Sequence, residues 1–161
     1  MKKTRFITHA ALIAALYVVL TYVANALGLA RGAIQVRFSE ALTILPFFTP
    51  AAIPGLFVGC ILSNFLTVCA IWDIIFGSIA TLIGAIGTFA LRKNKWLTPL
   101  PPVLSNMIII PFVLTYGYGI PGGIPYFMAT IGIGEVISCY VLGMILLFSL
   151  NKYRNVLFPL N

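Results

Sequence analysis

Acidic residues are the scarcest feature of this sequence. Its 161 residues include three carboxylates, Glu40, Asp73 and Glu135, against ten Lys and Arg residues. Charged residues make up 8% of the chain, whereas soluble domains average about 25%. Hydrophobic residues make up 61% and the mean hydropathy is +1.08, so little polar surface remains for a basic nucleic-acid-binding face. The composition excludes nucleic acid as a partner and predicts an integral membrane protein in contact with the lipid bilayer.

Motifs for ATP use, metal binding and hydrolysis are also missing. The sequence has no G-x-x-x-x-G-K-[ST] phosphate loop, so it does not use ATP by that route. Its three cysteines, Cys60, Cys69 and Cys139, lack metal-ligand spacing, and we interpret them as small packing residues. No Ser–His or His–carboxylate pair suggests hydrolysis. We therefore predict neither an enzyme nor a bound metal or cofactor.

Long apolar runs, separated by polar or Gly/Pro breaks, are the dominant pattern. About 20 apolar residues cross a bilayer as a helix, which predicts an all-α bundle of six transmembrane helices forming one domain over 1–161. The second run is too short to cross upright, so we interpret it as tilted, partly re-entrant or broken. The predicted spans are 6–27, 37–48, 51–68, 72–91, 96–116 and 126–150.

The Lys and Arg residues are unevenly divided between the two sides of this bundle. Cytoplasmic loops carry the excess of Lys and Arg, which predicts a cell-membrane protein with both termini in the cytoplasm. The outer side then holds Arg31 and Arg37. The inner side holds Lys2, Lys3, Arg5, Arg92, Lys93, Lys95, Lys152 and Arg154.

This topology places all three acids in the outer half of the membrane or near its middle. Glu40 begins the second span and Asp73 the fourth, whereas Glu135 lies about 14 Å below the outer surface at roughly 1.5 Å per residue. An ionisable group in a span costs about 2.5–3.5 kcal/mol and is usually kept for a substrate, an ion or a proton path. The acids therefore predict a binding site on the outer side.

Each acid also has a structural alternative. For Glu135 the alternative is a buried ion pair, for instance with Arg37 or Arg31. Asp73 begins a helix, where a carboxylate can serve as a cap and complement the helix dipole. Glu40 follows Arg37 by three residues, the helical spacing of an ion pair.

Amide and aromatic side chains supply further candidates. Asn106 near the middle of the fifth span, and Asn64 near the outer end of the third, can bond a ligand or a neighbouring helix. Trp72 and Phe127 lie at outer span ends, where the alternatives are an interfacial aromatic belt and a stacking surface for a planar ligand.

Small residues recur at intervals of four along two spans, and such faces allow helices to approach closely. The sequence leaves open whether the partner helix is internal or belongs to another protein. The first span carries the pairs Ala10/Ala14 and Ala11/Ala15, and the third carries Ala51, Gly55, Gly59 and Ser63.

Five strings in the chain resemble the QueT family. They are RFSEALT at 37–43, LPFFTPAAIPGL at 45–56, WDIIFGS at 72–78, PPVLSN at 101–106 and GEVIS at 134–138. The resemblance implies a substrate-binding (S) component of an energy-coupling factor (ECF) transporter, with six helices. It also implies import of a queuosine precursor (preQ0, preQ1 or queuine). The implied partners are a transmembrane coupling protein and two cytoplasmic ATPases.

The resemblance also implies places for the partner and the ligand. An Ala-x-x-x-Ala face on the first helix, Ala10/Ala14 or Ala11/Ala15, would meet the coupling protein. The pocket would lie in the outer half, capped by the loop 28–36. A 7-deazaguanine offers an N–H and an amine that suit one carboxylate bidentately. We assign that edge to Glu135, the ligand carbonyl to Asn106, and the far substituent to Asp73 or Glu40.

Three rival interpretations stay open at this stage. The same fold permits an S component for another vitamin. A stand-alone proton-coupled carrier could use Glu135 as its relay and would need no ATPase. A membrane-embedded enzyme is the third, although the chain lacks a nucleophile–base pair or a metal cluster.

Overall fold

A computed structural model of the chain describes residues 3–29 and 34–158, and over these residues all regular secondary structure is helical, with no strand. Arg31 lies outside the described residues, as does the middle of the loop 28–36. Four helices, Lys3–Ala26, Asp73–Ala90, Leu100–Gly117 and Ile124–Asn151, are long and apolar enough to cross a membrane. The helices are α1 (Lys3–Ala26), α2 (Phe38–Phe47), α3 (Ala52–Leu66), α4 (Asp73–Ala90), α5 (Leu100–Gly117), α6 (Ile124–Asn151) and α7 (Arg154–Leu157).

Contacts at small residues give the direction of each helix. Gly55 of α3 meets Ala10 of α1, and Gly59 meets Ala14, so α1 and α3 run parallel. Helix α4 runs antiparallel to α3, because the Asn64 amide bonds the Asp73 carbonyl at one end of the pair and Thr81 bonds Cys60 nearer the other.

Helices α5 and α6 continue this alternation. Gly84 of α4 meets Pro102 near the start of α5, whereas Trp72 meets Gly117 at the end of α5. The Tyr140 hydroxyl in α6 donates to the carbonyl of Trp96, just before α5. The start of α1, the 91–99 turn and the end of α6 therefore share one end of the bundle, which we call the basic end. The loop 118–123 marks the opposite, far end.

Helix α2 occupies the centre of the bundle. It contacts α1, α3, α4 and α6, and all but two of its ten side chains are buried. It is wound as a 3-10 helix with Pro46 in its last turn, and at about 2.0 Å per residue it is roughly 20 Å long. A bilayer core is about 30 Å thick. The short segment is thus enclosed by protein, where non-α backbone is tolerated at membrane depth.

Small residues let the helices approach closely, as their spacing predicts. A Cβ at Gly59 would lie 2.8 Å from the Tyr17 Cβ atom, and one at Gly84 would lie 2.7 Å from the Pro102 Cα atom. The partner of the α3 stripe is therefore α1 of the same chain, through Ala10 and Ala14. The second pair on α1, Ala11 and Ala15, stays exposed.

Three wide π-helical turns interrupt the long helices. They cover Asp73–Gly77 at the start of α4, Val113–Gly117 at the end of α5 and Val136–Leu142 within α6. Such turns often occur at functional sites, because they change which way neighbouring side chains point. Two of the three adjoin an acid, Asp73 and Glu135.

Candidate functional site

A cavity of about 500 Å³ opens near the far end, between the start of α4, the end of α5 and the first half of α6. This volume lies within the range of about 300–1,000 Å³ that holds small ligands. Its polar lining comes from Gln35, Arg37, Asp73, Tyr118 and Thr130, and its aromatic lining includes Tyr126 and Phe127.

Asp73 is fixed in the cavity wall by its neighbours. The Tyr118 hydroxyl donates a short hydrogen bond to the Asp73 carboxylate and accepts one from the Ala70 N–H at 3.1 Å. Burial and the adjacent carboxylate raise the pKa of Tyr118 to about 12, so the phenol remains a donor at neutral pH. The Asn64 amide donates to the Asp73 main-chain carbonyl at 3.0 Å. These contacts hold Asp73 in place against the cavity.

A second acidic group lies in the core, where α2 meets α6. The ligand atoms of Glu40, Glu135 and Cys139 lie within 4.8 Å of one another, and all three residues are buried. The Tyr17 hydroxyl donates to Glu40 Oε1 at 2.5 Å, and the Cys139 thiol donates to Glu135 Oε2 at 3.3 Å. We call the set Tyr17, Glu40, Asn106 and Glu135 the deep cluster.

The deep cluster is incompletely satisfied. Glu40 is 2% exposed, and its Oε2 atom has no hydrogen-bond partner among the described residues. The buried Asn106 amide lies beside the carboxylates of Glu40 and Glu135. Because a buried polar atom without a partner costs free energy, the cluster is suited to receive further N–H donors from a ligand. Glu40, Glu135 and Cys139 are also the side chains that could hold a cation.

Arg37 lies between the two acidic groups. Its backbone N–H donates to Ser138 Oγ at 3.1 Å, and its guanidinium donates to Gln35 Oε1 at 3.4 Å. Within the described part of the chain, no ion pair joins Arg37 to Glu40. Arg37 has an extended backbone (φ −111°, ψ 110°) and precedes α2, so the helical i, i+3 spacing does not apply to the pair.

The backbone of this loop is pinned against α6. The Gln35 carbonyl lies so close to Gly134 that a side chain there would collide with it. A smaller cavity of about 90 Å³ is also lined by Arg37, together with Tyr17, Ser39 and Asn64. Arg37 and Cys69 line both cavities.

The candidate residues separate into four places. Asp73, Arg37 and Phe127 line the large cavity, Glu40, Glu135 and Asn106 form the deep cluster, and Asn64 lines the small cavity. Trp72 is 47% exposed and faces a separate apolar groove with Phe112 and Tyr116.

Sequence reasoning missed two tyrosines that hold the acids. Tyr17 is buried within α1, and a phenol inside an apolar span needs a partner, which was the available signal. Tyr118 was indistinguishable from the other aromatic residues at outer span ends, because its partner Asp73 is 45 residues away.

The fold and the cavity define a helical protein with four candidate membrane spans and a candidate site for a small molecule. The family model described as QueT transporter matches residues 7–152, so the chain belongs to the QueT transporter family. This result confirms the resemblance seen in the five strings. The family is a transporter family rather than an enzyme family, as the sequence predicted.

One curated relative adds detail. A protein named "Queuosine precursor transporter QueT" from Lactococcus lactis subsp. cremoris (strain MG1363) is 40% identical over 81 residues. The match covers 50% of this chain and 47% of that protein, so the chain matches about half the length of this relative. No solved structure matches the chain.

Proposed function

We propose that this chain is the membrane-embedded S component of an ECF importer that captures a queuosine precursor from outside the cell. Partner subunits would then drive its uptake with ATP. Membership of the QueT transporter family and the name of the Lactococcus relative support the substrate class. The observation that carries the proposal is the placement of the acids, with Asp73 in the wall of a cavity and Glu40 and Glu135 together in the buried core.

The ligand would be a 7-deazaguanine such as preQ0, preQ1 or queuine. Glu135 would accept its N–H and exocyclic amine, and Asn106 would donate to its carbonyl. Asp73, which lines the cavity, would face the substituent at position 7, and Phe127 would pack on the ring. Glu40 would support this arrangement through its unpartnered Oε2 atom.

The topology we propose has six membrane segments in one domain over 1–161, with both termini in the cytoplasm. The alternating helix directions support this count when α2 and α3 are included as short segments. The basic end collects Lys3, Arg5, Lys152 and the 92–95 residues, and Lys and Arg favour the cytoplasmic side.

The partners we propose are a transmembrane coupling protein and two cytoplasmic ATPases. A broad apolar face of α1 supports a protein partner, because Leu12, Leu16 and Val19 are exposed beside Ala11 and Ala15. Ala10 and Ala14 pack on α3 instead, so Ala11 and Ala15 are the pair we assign to the partner.

Titration of the purified chain in lipid nanodiscs tests the substrate class. Trp72 and Trp96 do not line the cavity, so calorimetry follows binding better than their fluorescence does. We expect saturable one-site binding of at least one of preQ0, preQ1 and queuine, and weaker binding of guanine. Binding of none of them would contradict the substrate class. Binding of another vitamin instead would favour an S component of different specificity.

A proton-coupled carrier is the second candidate, because two buried carboxylates in contact range can serve a proton path. Proteoliposomes that contain this chain alone separate the candidates. The S-component proposal predicts no concentrative uptake under a pH gradient until coupling protein and ATPases are added. Uptake by the chain alone that an uncoupler abolishes would favour the carrier.

A further inference from the structure

Carboxyl groups outnumber basic groups at the site. Three carboxyl groups lie near one guanidinium, and the donors that reach them are neutral: the hydroxyls of Tyr17 and Tyr118 and the thiol of Cys139. Over residues 3–29 and 34–158, none of the three forms an ion pair with Arg37. Buried carboxylates are stabilised by a cationic partner, so the site suits a ligand that brings positive charge.

Arg37 lies near all three acids without pairing with any of them. Its guanidinium is close enough to interact electrostatically with Glu40, Asp73 and Glu135, yet its side-chain hydrogen bond goes to the neutral Gln35 at a long 3.4 Å. Among the described residues, the guanidinium is therefore not tied to one carboxyl group.

The Arg37 backbone is fixed by contacts, whereas its side chain borders two cavities. The Arg37 N–H is bonded to Ser138 and the neighbouring Gln35 carbonyl abuts Gly134, which fixes the main chain on α6. The side chain lines both cavities, and the smaller one, about 90 Å³, presents polar atoms of Ser39 and Asn64. A guanidinium can withdraw there without leaving polar surroundings.

We propose that Arg37 supplies the positive charge near the carboxyl groups when no ligand is bound. A ligand that carries its own ammonium group then supplies this charge in place of Arg37. The inference rests on the proposed function and narrows its substrate class to positively charged 7-deazaguanines. The ammonium group would lie beside Asp73, and the aromatic rings of Tyr126 and Phe127 in the same cavity suit a cation.

Two ligands with the same ring system test the inference. PreQ1 carries an aminomethyl group that is protonated at neutral pH, whereas preQ0 carries a neutral nitrile at the same position. Their dissociation constants are measured by calorimetry on the full chain in nanodiscs, for the unaltered protein, Arg37→Gln and the control Arg92→Gln. Arg92 lies at the basic end, stacked on Phe89, and its loss should change neither constant.

We expect the unaltered protein to bind preQ1 at least about tenfold more tightly than preQ0. Arg37→Gln should tighten preQ1 binding by about threefold or more and should not tighten preQ0 binding, because only the cation gains from the extra negative charge. This sign is opposite to that expected for a direct ligand contact, whose removal weakens binding.

The alternative outcomes are distinct. Weaker binding of both ligands by Arg37→Gln would overturn the inference and make Arg37 a direct contact. Equal affinities of the unaltered protein for preQ1 and preQ0 would overturn it while leaving the proposed function intact. Binding of no queuosine precursor would overturn both. If Arg37→Gln does not fold, the dissociation constants of preQ1 and preQ0 for the unaltered protein test the inference, and equal values would overturn it.

Discussion

The acids of this protein occupy two different environments. Asp73 lines a cavity, accepts a hydrogen bond from Tyr118, and begins α4 in a π-helical turn. Glu40 and Glu135 lie in the core, where α2 crosses α6, and are reached by Tyr17 and Cys139. Asp73 and Glu135 are similarly buried, at 9% and 8% exposure. The two environments differ because Asp73 borders a cavity, whereas Glu40 and Glu135 are enclosed by side chains.

We expect the two environments to contribute differently to ligand binding. A carboxylate that borders a cavity can contact water there until the ligand arrives, so we expect its contribution to affinity to be moderate. An enclosed carboxylate has already lost its hydration during folding, so each N–H donated by a ligand is worth more. We therefore expect Glu135 to dominate affinity and Asp73 to select the substituent.

Replacement of the enclosed acid should have the largest effect. Glu135→Gln replaces one of the two oxygens that would accept the guanine-like edge with an amide donor, and a buried donor left unsatisfied costs about 1–3 kcal/mol. We expect the dissociation constant of preQ1 to rise at least about tenfold by calorimetry. The control Ser149→Ala removes an exposed hydroxyl of the same helix and should have no effect. An unchanged constant for Glu135→Gln would remove it from the site.

Replacement of Asp73, which lines the cavity, should have a smaller effect that differs between preQ1 and preQ0. Asp73→Asn keeps the shape of the side chain and removes its charge. We expect preQ1 binding to weaken about fivefold, roughly 1 kcal/mol, while the affinity for the neutral preQ0 stays within about twofold. Equal weakening of both ligands would show that Asp73 does not read the charge of the substituent.

Replacement of Tyr118, which donates a hydrogen bond to Asp73, should weaken ligand binding less than replacement of Asp73 does. Tyr118→Phe removes one hydrogen bond to Asp73, worth about 0.5–1.5 kcal/mol, and we expect about threefold weaker preQ1 binding. Tyr116→Phe is the matched control, because Tyr116 is 76% exposed and points away from the cavity. Equal effects of the two variants would contradict a positioning role for Tyr118.

The same phenol predicts a pH dependence of stability. The pKa of Tyr118 is about 12 in the folded chain, above the ordinary value near 10. Its stabilising hydrogen bond is fully present below about pH 10 and is lost as the pH rises through about 12. Thermal unfolding in nanodiscs should therefore show a smaller fall in Tm over this range for Tyr118→Phe than for the unaltered protein. Parallel curves would contradict the assignment.

The smallest effect is expected at Trp72. Its ring lies against Gly117 and Phe76 in the apolar groove outside the cavity, although it is adjacent to Asp73 in sequence. Trp72→Phe should change the dissociation constant of preQ1 by less than about twofold, or roughly 0.4 kcal/mol. A tenfold change would place the ligand in the apolar groove instead.

Much of the fold follows from local sequence properties. The apolar runs predict the helices, the short second run predicts an element that does not cross upright, and the small-residue stripe predicts close helix contact. These features depend on the residues of one segment, so one sequence reveals them. The 3-10 winding of α2 depends on its enclosure by four other helices and was not predictable.

The sequence allowed the acidic residues of the site to be predicted, but not which side chains contact one another. Scarce acids in apolar runs pointed to Glu40, Asp73 and Glu135, because burying a charge needs a reason. The contact between Glu40 and Glu135 joins residues 95 positions apart, and Tyr17 reaches Glu40 from another helix. Such pairings arise from helix packing, so local spacing suggested the Arg37–Glu40 pair instead.

The position of the bound ligand tests the central claim most directly. A crystal structure of the full chain with preQ1 should show the ligand in the 500 Å³ cavity, its ring edge towards Glu135 and its ammonium group beside Asp73. The Arg37 guanidinium should have withdrawn towards Ser39 and Asn64. A ligand bound in the apolar groove at Trp72, or one that contacts neither Glu135 nor Asp73, would contradict the account.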